Sequence, residues 1–206
     1  MAEFINTIDV LGDDAVIDSI IDRSITEFKD DTLTTIRDYA FYQCASLSVL
    51  DLPNVENMKQ YAFQGCVSLA RVSLPKFSTD ENVNGLFDGC AALTDVYVPT
   101  LQYVGWSMFR SCANLKKIDL PRARYINSLA FRSTELKVLI LRRETLCGLN
   151  HPTAVSIPAG YIYVPRALVE EYKAATNWST FATQFRALED YTVDGTITGE
   201  LDETKI

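Results

Sequence analysis

The chain has 206 residues, 48% of them hydrophobic, enough for a sizeable core, and carries a net charge of -8. That acidity argues against nucleic acid as a general partner, because neutralising phosphates needs a basic face. No apolar run approaches the length that spans a bilayer, so no membrane insertion is expected.

The charge is unevenly spread. Residues 1–31 hold nine acids against Arg23 and Lys29, whereas residues 110–143 hold nine bases against Asp119 and Glu135. One end should be acidic and a later segment basic. The opening MAEFINTIDVLGDD lacks the basic and apolar regions of a secretory leader. The expected location is cytoplasmic or virion-associated, and the cell surface only if a leader has been trimmed.

Residues 13–23, DDAVIDSIIDR, read as a short amphipathic helix with Asp13 or Asp14 as its cap. Such a helix would close the open end of a stack, because a terminal repeat must hide its core. Residues 24–28 (SITEF) read as a degenerate first strand, with Phe28 22 residues before Leu50.

A repeated stretch then organises the chain. It reads YAFYQCASLSVLDLP at 39–53, YAFQGCVSLARVSLP at 61–75, GLFDGCAALTDVYVP at 85–99 and SMFRSCANLKKIDLP at 107–121, with a worn copy, LAFRSTELKVLILR, at 129–142. The aromatic column Phe41, Phe63, Phe87, Phe109, Phe131 has steps of 22, 24, 22 and 22. A thiol column (Cys44, Cys66, Cys90, Cys112, then Thr134) and a leucine column (Leu47, Leu69, Leu93, Leu115, Leu136) run beside it. Each copy ends in an alternating strand, such as Leu50/Leu52 or Ile118/Leu120, and residues 161–165 (YIYVP) supply a sixth. One unit cannot bury its own apolar face, so successive units must stack and share a core. The period of two turns each leucine inward and its neighbours outward, and Pro53, Pro75, Pro99, Pro121 and Pro165 end the strands. The longer third unit should bulge over 77–84.

The pattern AF-x-x-C-x-x-L-x-x-[VIL]-x-LP resembles the BspA-like leucine-rich repeats of bacterial and some protozoan surface proteins, over about residues 28–165. The flanks resemble those of short versions found in prophage regions of gut Firmicutes. The resemblance implies an α+β repeat solenoid. It would be a right-handed leucine-rich-repeat coil of five to six turns, with a parallel β-sheet on one face and short helical caps at both ends. It also implies adhesion or protein–protein contact. The expected division is a helical cap over 1–27, repeats over 28–165, a second helical cap over 166–190 and a tail over 191–206.

In that second cap, 166–176 (RALVEEYKAAT) and 180–188 read as helices, the latter with Phe181, Phe185 and Leu188 inward. Trp178 lies at their joint. The tail carries Asp194-Gly195, a hairpin signal, or else forms a mobile acidic end.

Little points to chemistry. The thiol spacing of 22 to 24 is not that of zinc sites, and packing accounts for the column. Cys147 lies outside it, in ETLCGLNHP, and is the thiol expected at the surface. His151 is the sole histidine and joins no catalytic set. Asn177-Trp178-Ser179 has the letters of a glycosylation sequon without a context for one. No enzyme, no metal and no cofactor are expected.

Function should therefore lie in the outward strand positions. These form a grid: Val49/Asp51, Arg71/Ser73, Asp95/Tyr97, Lys117/Asp119, Val138/Ile140, Tyr161/Tyr163. The early rows are polar. Val138, Ile140, Tyr161 and Tyr163 would form an apolar patch, open to a foreign ligand, to the chain's own tail or to a second copy. Arg122, Arg124 and Arg143 would line a basic rim, which either meets an anionic partner or is a solvated edge. The leading expectation is a recognition or adhesion module, of phage or prophage origin, that binds a protein or cell-surface glycan. The alternative is a structural subunit of a homo-oligomer or virion assembly that uses the apolar patch as its interface.

Overall fold

The computed structural model describes residues 16–17, 23–79, 83–193 and 196–197. Three hydrogen-bonded rows run along the stack of repeats. The main row is laid in two four-stranded parallel sheets. One holds Glu27–Lys29, Val49–Asp51, Arg71–Ser73 and Asp95–Tyr97; the other holds Lys117–Leu120, Val138–Leu141, Tyr161–Val164 and Phe185–Ala187. Phe28 pairs with Leu50 and Leu139 with Ile162, the registers that the spacing predicts. Inward residues such as Leu50, Val72, Ile118, Leu139 and Ile162 are buried, as the period of two requires.

A second row lies past the prolines. Its strands have two residues each: Val16–Ile17, Thr35–Ile36 and Asn57–Met58 in one parallel sheet, then Tyr103–Val104, Tyr125–Ile126 and Gly148–Leu149 in another. Val16–Ile17 is thus strand where the alternation of aspartate and isoleucine suggests helix. The rest of the proposed 13–23 helix, apart from Arg23, lies outside the described residues, as do residues 80–82 of the expected bulge.

The third row joins the turns that carry the Phe column. The N–H of Phe41 donates to Ala62 O (2.8 Å), Phe63 to Leu86 O (3.0 Å), Phe87 to Met108 O (2.8 Å) and Phe109 to Ala130 O (2.8 Å). Two residues per turn hold positive φ: Tyr39, Tyr61, Gly85, Ser107 and Leu129 at +53 to +60°, then Gln43, Gly65, Gly89, Ser111 and Ser133 at +56 to +77°. A side chain in that region costs about 1 kcal/mol, which the bonds to the next repeat offset. Glycine at 85 leaves room for the Tyr61 ring, which a Cβ there would displace.

The inter-repeat bonds bring the Phe rings into a column. Phe41, Phe63, Phe87, Phe109 and Phe131 stack with centroids 4.8, 5.6, 5.5 and 5.4 Å apart and planes within 15°. Each is fully buried. The thiols add a directional element. The S–H groups of Cys66, Cys90 and Cys112 donate to the carbonyls of Phe41, Phe63 and Phe87, one repeat back, at 3.2 Å. Thr134 instead donates within its own repeat, to Phe131 O at 2.7 Å.

Burial raises the Cys66 thiol to about 12 and the Cys147 thiol to about 12, and pushes Cys90 and Cys112 well above the ordinary 9.0. A folded state with raised thiol pKa values holds its protons while the unfolded chain loses them. The stability is complete below pH 9 and falls as pH rises, by about 1.4 kcal/mol per pH unit for each thiol. Urea unfolding at pH 8 and pH 10 should therefore show a marked loss of stability at pH 10, relieved in the Cys90→Ala/Cys112→Ala variant. An unchanged midpoint at pH 10 would count against this role of the thiols.

The C-terminal cap departs from two helices. Arg166–Leu168 is a 3₁₀ turn leading into the α-helix Val169–Ala174. Trp178–Gln184 is 3₁₀, and Phe185–Ala187 is a strand that extends the main row. Its burial alternates, with Phe185 and Ala187 in and Arg186 out, the pattern of a strand rather than a helix. Tyr172, Trp178, Phe181 and Phe185 close the end of the core, with ring centroids 5.3 to 6.1 Å apart. Beyond them, Thr192–Val193 pairs antiparallel with Thr196–Ile197, the hairpin that Asp194-Gly195 signals.

Candidate functional site

The outward grid forms as the alternation predicts, but its two halves differ. In the first sheet Val49 is 42% exposed, Asp51, Arg71 and Asp95 are exposed, and Tyr97 is half-buried. Arg71 lies opposite Asp95 and its Nε is 3.0 Å from the carboxylate. Both are well solvated, so the pair contributes at most about 1 kcal/mol. Lys117 opens the second sheet, exposed. Asp119 is less free, because Arg142 Nε reaches its two oxygens at 3.0 and 2.8 Å and Nη2 lies 2.7 Å away.

The apolar patch is partly covered. Ile140 is fully buried beneath Leu188 and Tyr191, and Val138 and Tyr163 pack against the same small cluster. The Tyr191 ring meets Tyr163 edge-on at 4.6 Å, and Lys117 Nζ lies 5.2 Å from the Tyr191 centroid. Arg186 sits over Tyr161 at 4.3 Å, leaving that ring 44% exposed. The cover is pinned by Arg166, whose N–H donates to Glu189 and whose guanidinium is 2.5 Å from Asp190. Ile140 is therefore a packing residue and not the contact residue that the alternation suggests, since burial against its own chain leaves no surface to offer. Leu188 was expected to face inward from a helix rather than to lie over Ile140, and Tyr191 and Arg186, which complete the cover, carry no local signal in the sequence.

The rim arginines lie near the second row. Arg122 and Arg124 are exposed, and Arg143 donates to Thr145 Oγ1 at 3.2 and 2.8 Å. Cys147 corrects an expectation: it is buried, not surface-exposed. Its N–H donates to the Tyr172 hydroxyl (2.8 Å) and its carbonyl accepts from Trp178 Nε1 (2.6 Å), so the cap closes over it. Asn177 spends its amide on Leu149 O (2.8 Å) and Asn150 O (2.9 Å), which ties the sequon nitrogen to the stack. His151 is exposed and caps a 3₁₀ turn through Thr153 N at 3.2 Å. Among the described residues no group of three or more His, Cys, Asp or Glu is placed to hold a metal ion, and no helix is long and apolar enough to cross a membrane.

A polar and aromatic group on the turn face also escaped the sequence reading. Asp88, with a side chain only 5% exposed, accepts from Arg110 Nε (2.9 Å) and Nη2 (2.5 Å) and from Gln64 Nε2 (3.1 Å). Arg110 in turn lies 5.9 Å from the centroid of the half-exposed Trp106. The 22-residue step from Asp88 to Arg110 was the available signal.

The stacked repeats have relatives. A bacterial leucine-rich repeat protein from Bacteroides ovatus is 16% identical, with a TM-score of 0.39, over 69% of this chain and 56% of that one. A leucine rich cell surface protein from Faecalibacterium prausnitzii is 15% identical, with a TM-score of 0.30, over 68% of this chain and 64% of that one. The chain thus spans less than two thirds of either structure. No curated protein sequence matches it. The profile of the BspA type leucine rich repeat region matches 6 copies over residues 22–142, more than half of the chain. With its Phe, Cys and Leu columns and its parallel strand rows, the chain belongs to the BspA type leucine rich repeat family.

Proposed function

We propose that the protein is a recognition module, of the protein-interaction or adhesion kind its family suggests, and that it binds a protein partner through the open part of the strand face. The carrying observation is the contrast along one surface. The chain's own C-terminal segment covers Ile140 and flanks Tyr161, while Val49, Arg71 and Asp95 are exposed, Tyr97 is half-buried and Lys117, exposed, borders the cover through Tyr191. An extended parallel face with mixed charge and one aromatic suits a partner of alternating polarity. A phage or prophage particle is the proposed setting, and tail genes beside its gene would support it. Leucine-rich repeat proteins are generally binding modules without catalysis, and the exposed, turn-capping His151 suits that reading.

The test is binding to bacterial cells, scored by flow cytometry with labelled protein. The Tyr97→Ala/Lys117→Glu variant should lose about tenfold in apparent affinity, the order expected for a central aromatic and a steering charge. Unchanged binding would remove this face from consideration. The assembly reading has less to rest on, because the C-terminal segment covers Ile140 and packs on Val138 and Tyr163, which leaves Tyr161 as the exposed part of that patch.

A further inference from the structure

The turn face presents a second surface, remote in the repeat from the outward strand positions. One position per repeat runs along it as Asp38, Gln60, Asn84, Trp106 and Ser128. The carbonyls of Gln60, Asn84, Trp106 and Ser128 accept the N–H groups of Tyr39, Tyr61, Gly85 and Ser107 at 3.1, 2.9, 2.8 and 3.2 Å. The row is held at the spacing of strands, about 4.8 Å per step. All members are exposed or half-exposed. Four of them carry a carboxylate, carboxamide or hydroxyl, and Trp106 interrupts them.

Trp106 has no packing duty of the kind Trp178 has. Trp178 is 1% exposed and bonded through its indole nitrogen, whereas Trp106 is half-exposed. The fixed guanidinium of Arg110 lies over its ring, 5.9 Å from the centroid. Asp88 grips Arg110 through Nε and Nη2, and leaves Nη1 without a partner among the described residues. The pair is electrically neutral, and the carboxylate is buried beneath its partner, so the pair offers donors without net charge. Two polar atoms of this row and its neighbour lie below the surface. Asn84 Oδ1 and Ser107 Oγ are buried and unbonded, and Ser107 is fully buried next to Trp106. An unmet polar atom costs about 1–3 kcal/mol. Asn84 Nδ2 donates to Gln60 Oε1 (3.4 Å), which ties the two carboxamides of the row together.

An aromatic ring among carboxamides, a rigid guanidinium and unmet polar atoms matches the faces of a sugar ring, apolar C–H on one side and hydroxyls around the edge. We propose that Trp106, with Gln60, Asn84 and the Asp88–Arg110 pair, is a binding site for a neutral glycan, with a pyranose ring against the indole. The site is independent of the strand-face reading. The absence of net charge in the pair sets it apart from the arginine rim, where an anionic polymer would bind.

Affinity electrophoresis of the full chain in gels containing laminarin, xyloglucan, yeast mannan or amylose tests it, with polygalacturonate as the anionic control. At least one neutral polysaccharide should retard the protein and change its tryptophan emission, to which the accessible Trp106 responds. Trp106→Ala should weaken retardation about tenfold or more, a loss of about 1.4 kcal/mol, and Trp106→Phe should keep part of it. If Trp106→Ala fails to fold, Gln60→Ala, at an exposed position, takes its place. Tyr97→Ala/Lys117→Glu should be retarded like the parent, which separates failure here from failure of the strand-face reading. Retardation by polygalacturonate alone, by none of the gels, or equally in the Trp106 variants overturns the proposal.

Discussion

Phe87→Ala should cost about 3–5 kcal/mol of folding stability, the range for deleting a buried phenylalanine that its surroundings cannot refill. Phe87 is fully buried between Phe63 at 5.6 Å and Phe109 at 5.5 Å. Both of its backbone groups are committed, the N–H to Met108 O (2.8 Å) and the carbonyl to the Cys112 thiol (3.2 Å). The turns are therefore fixed by hydrogen bonds on both sides and cannot close over the void. The loss falls on two repeat interfaces at once, near the middle of the stack. In a quasi-one-dimensional protein such a defect uncouples the two ends. Urea unfolding should show a lower midpoint and a broadened or two-step transition. Phe28→Ala should cost less, because Phe28 contacts the column on one side only, edge-on to Phe41 at 4.8 Å. A loss below about 1 kcal/mol at Phe87, typical of an ordinary surface change, would mean that the ring column is not the main support of the stack.

The same column shows why so much of the fold was legible. Five copies of one local pattern agree on which residues point inward, and parallel stacking turns sequence spacing into register. Phe28 against Leu50 and Leu139 against Ile162 follow from spacing alone. The second row was missed because its strands have two residues, too short to show alternation. Its inward column, Ile36, Met58, Val104, Ile126 and Leu149, was nonetheless present in the spacing. Phe185–Ala187 was misread for a different reason. Phe181, Phe185 and Leu188 fit a helical stripe, and three residues of alternation cannot outweigh it. The candidate site was legible only as a grid. Which squares stay open depends on where Leu188 and Tyr191 lie across Ile140, a contact between segments some 50 residues apart that no local pattern encodes.

Cys147 is the other contact of that kind, and it supplies the second large effect. Trp178→Ala should cost about 3–5 kcal/mol and make one thiol reactive in the folded protein. Trp178 is 1% exposed, packs against Tyr172, Phe181 and Phe185, and bonds the Cys147 carbonyl at 2.6 Å. In the parent all five cysteines are buried, and burial holds Cys147 at about 12, so little thiolate forms near neutrality. Removing the indole takes away both the lid and the bond that hold the loop around Cys147 against the core. Water then reaches the sulfur, and the nearby Arg143, which already acts to lower its pKa, favours the thiolate. Ellman's reagent at pH 8 without denaturant should therefore titrate close to one thiol in Trp178→Ala and almost none in the parent. The Trp178→Ala/Cys147→Ala double variant should return to none. The remaining thiols stay hidden because Cys66, Cys90 and Cys112 are bonded to carbonyls within the stack, far from the cap. Labelling of several thiols together would mean that the cap and the repeats unfold as one unit. No labelling at all would mean that Tyr172, whose hydroxyl accepts the Cys147 N–H at 2.8 Å, closes the end without help from the tryptophan.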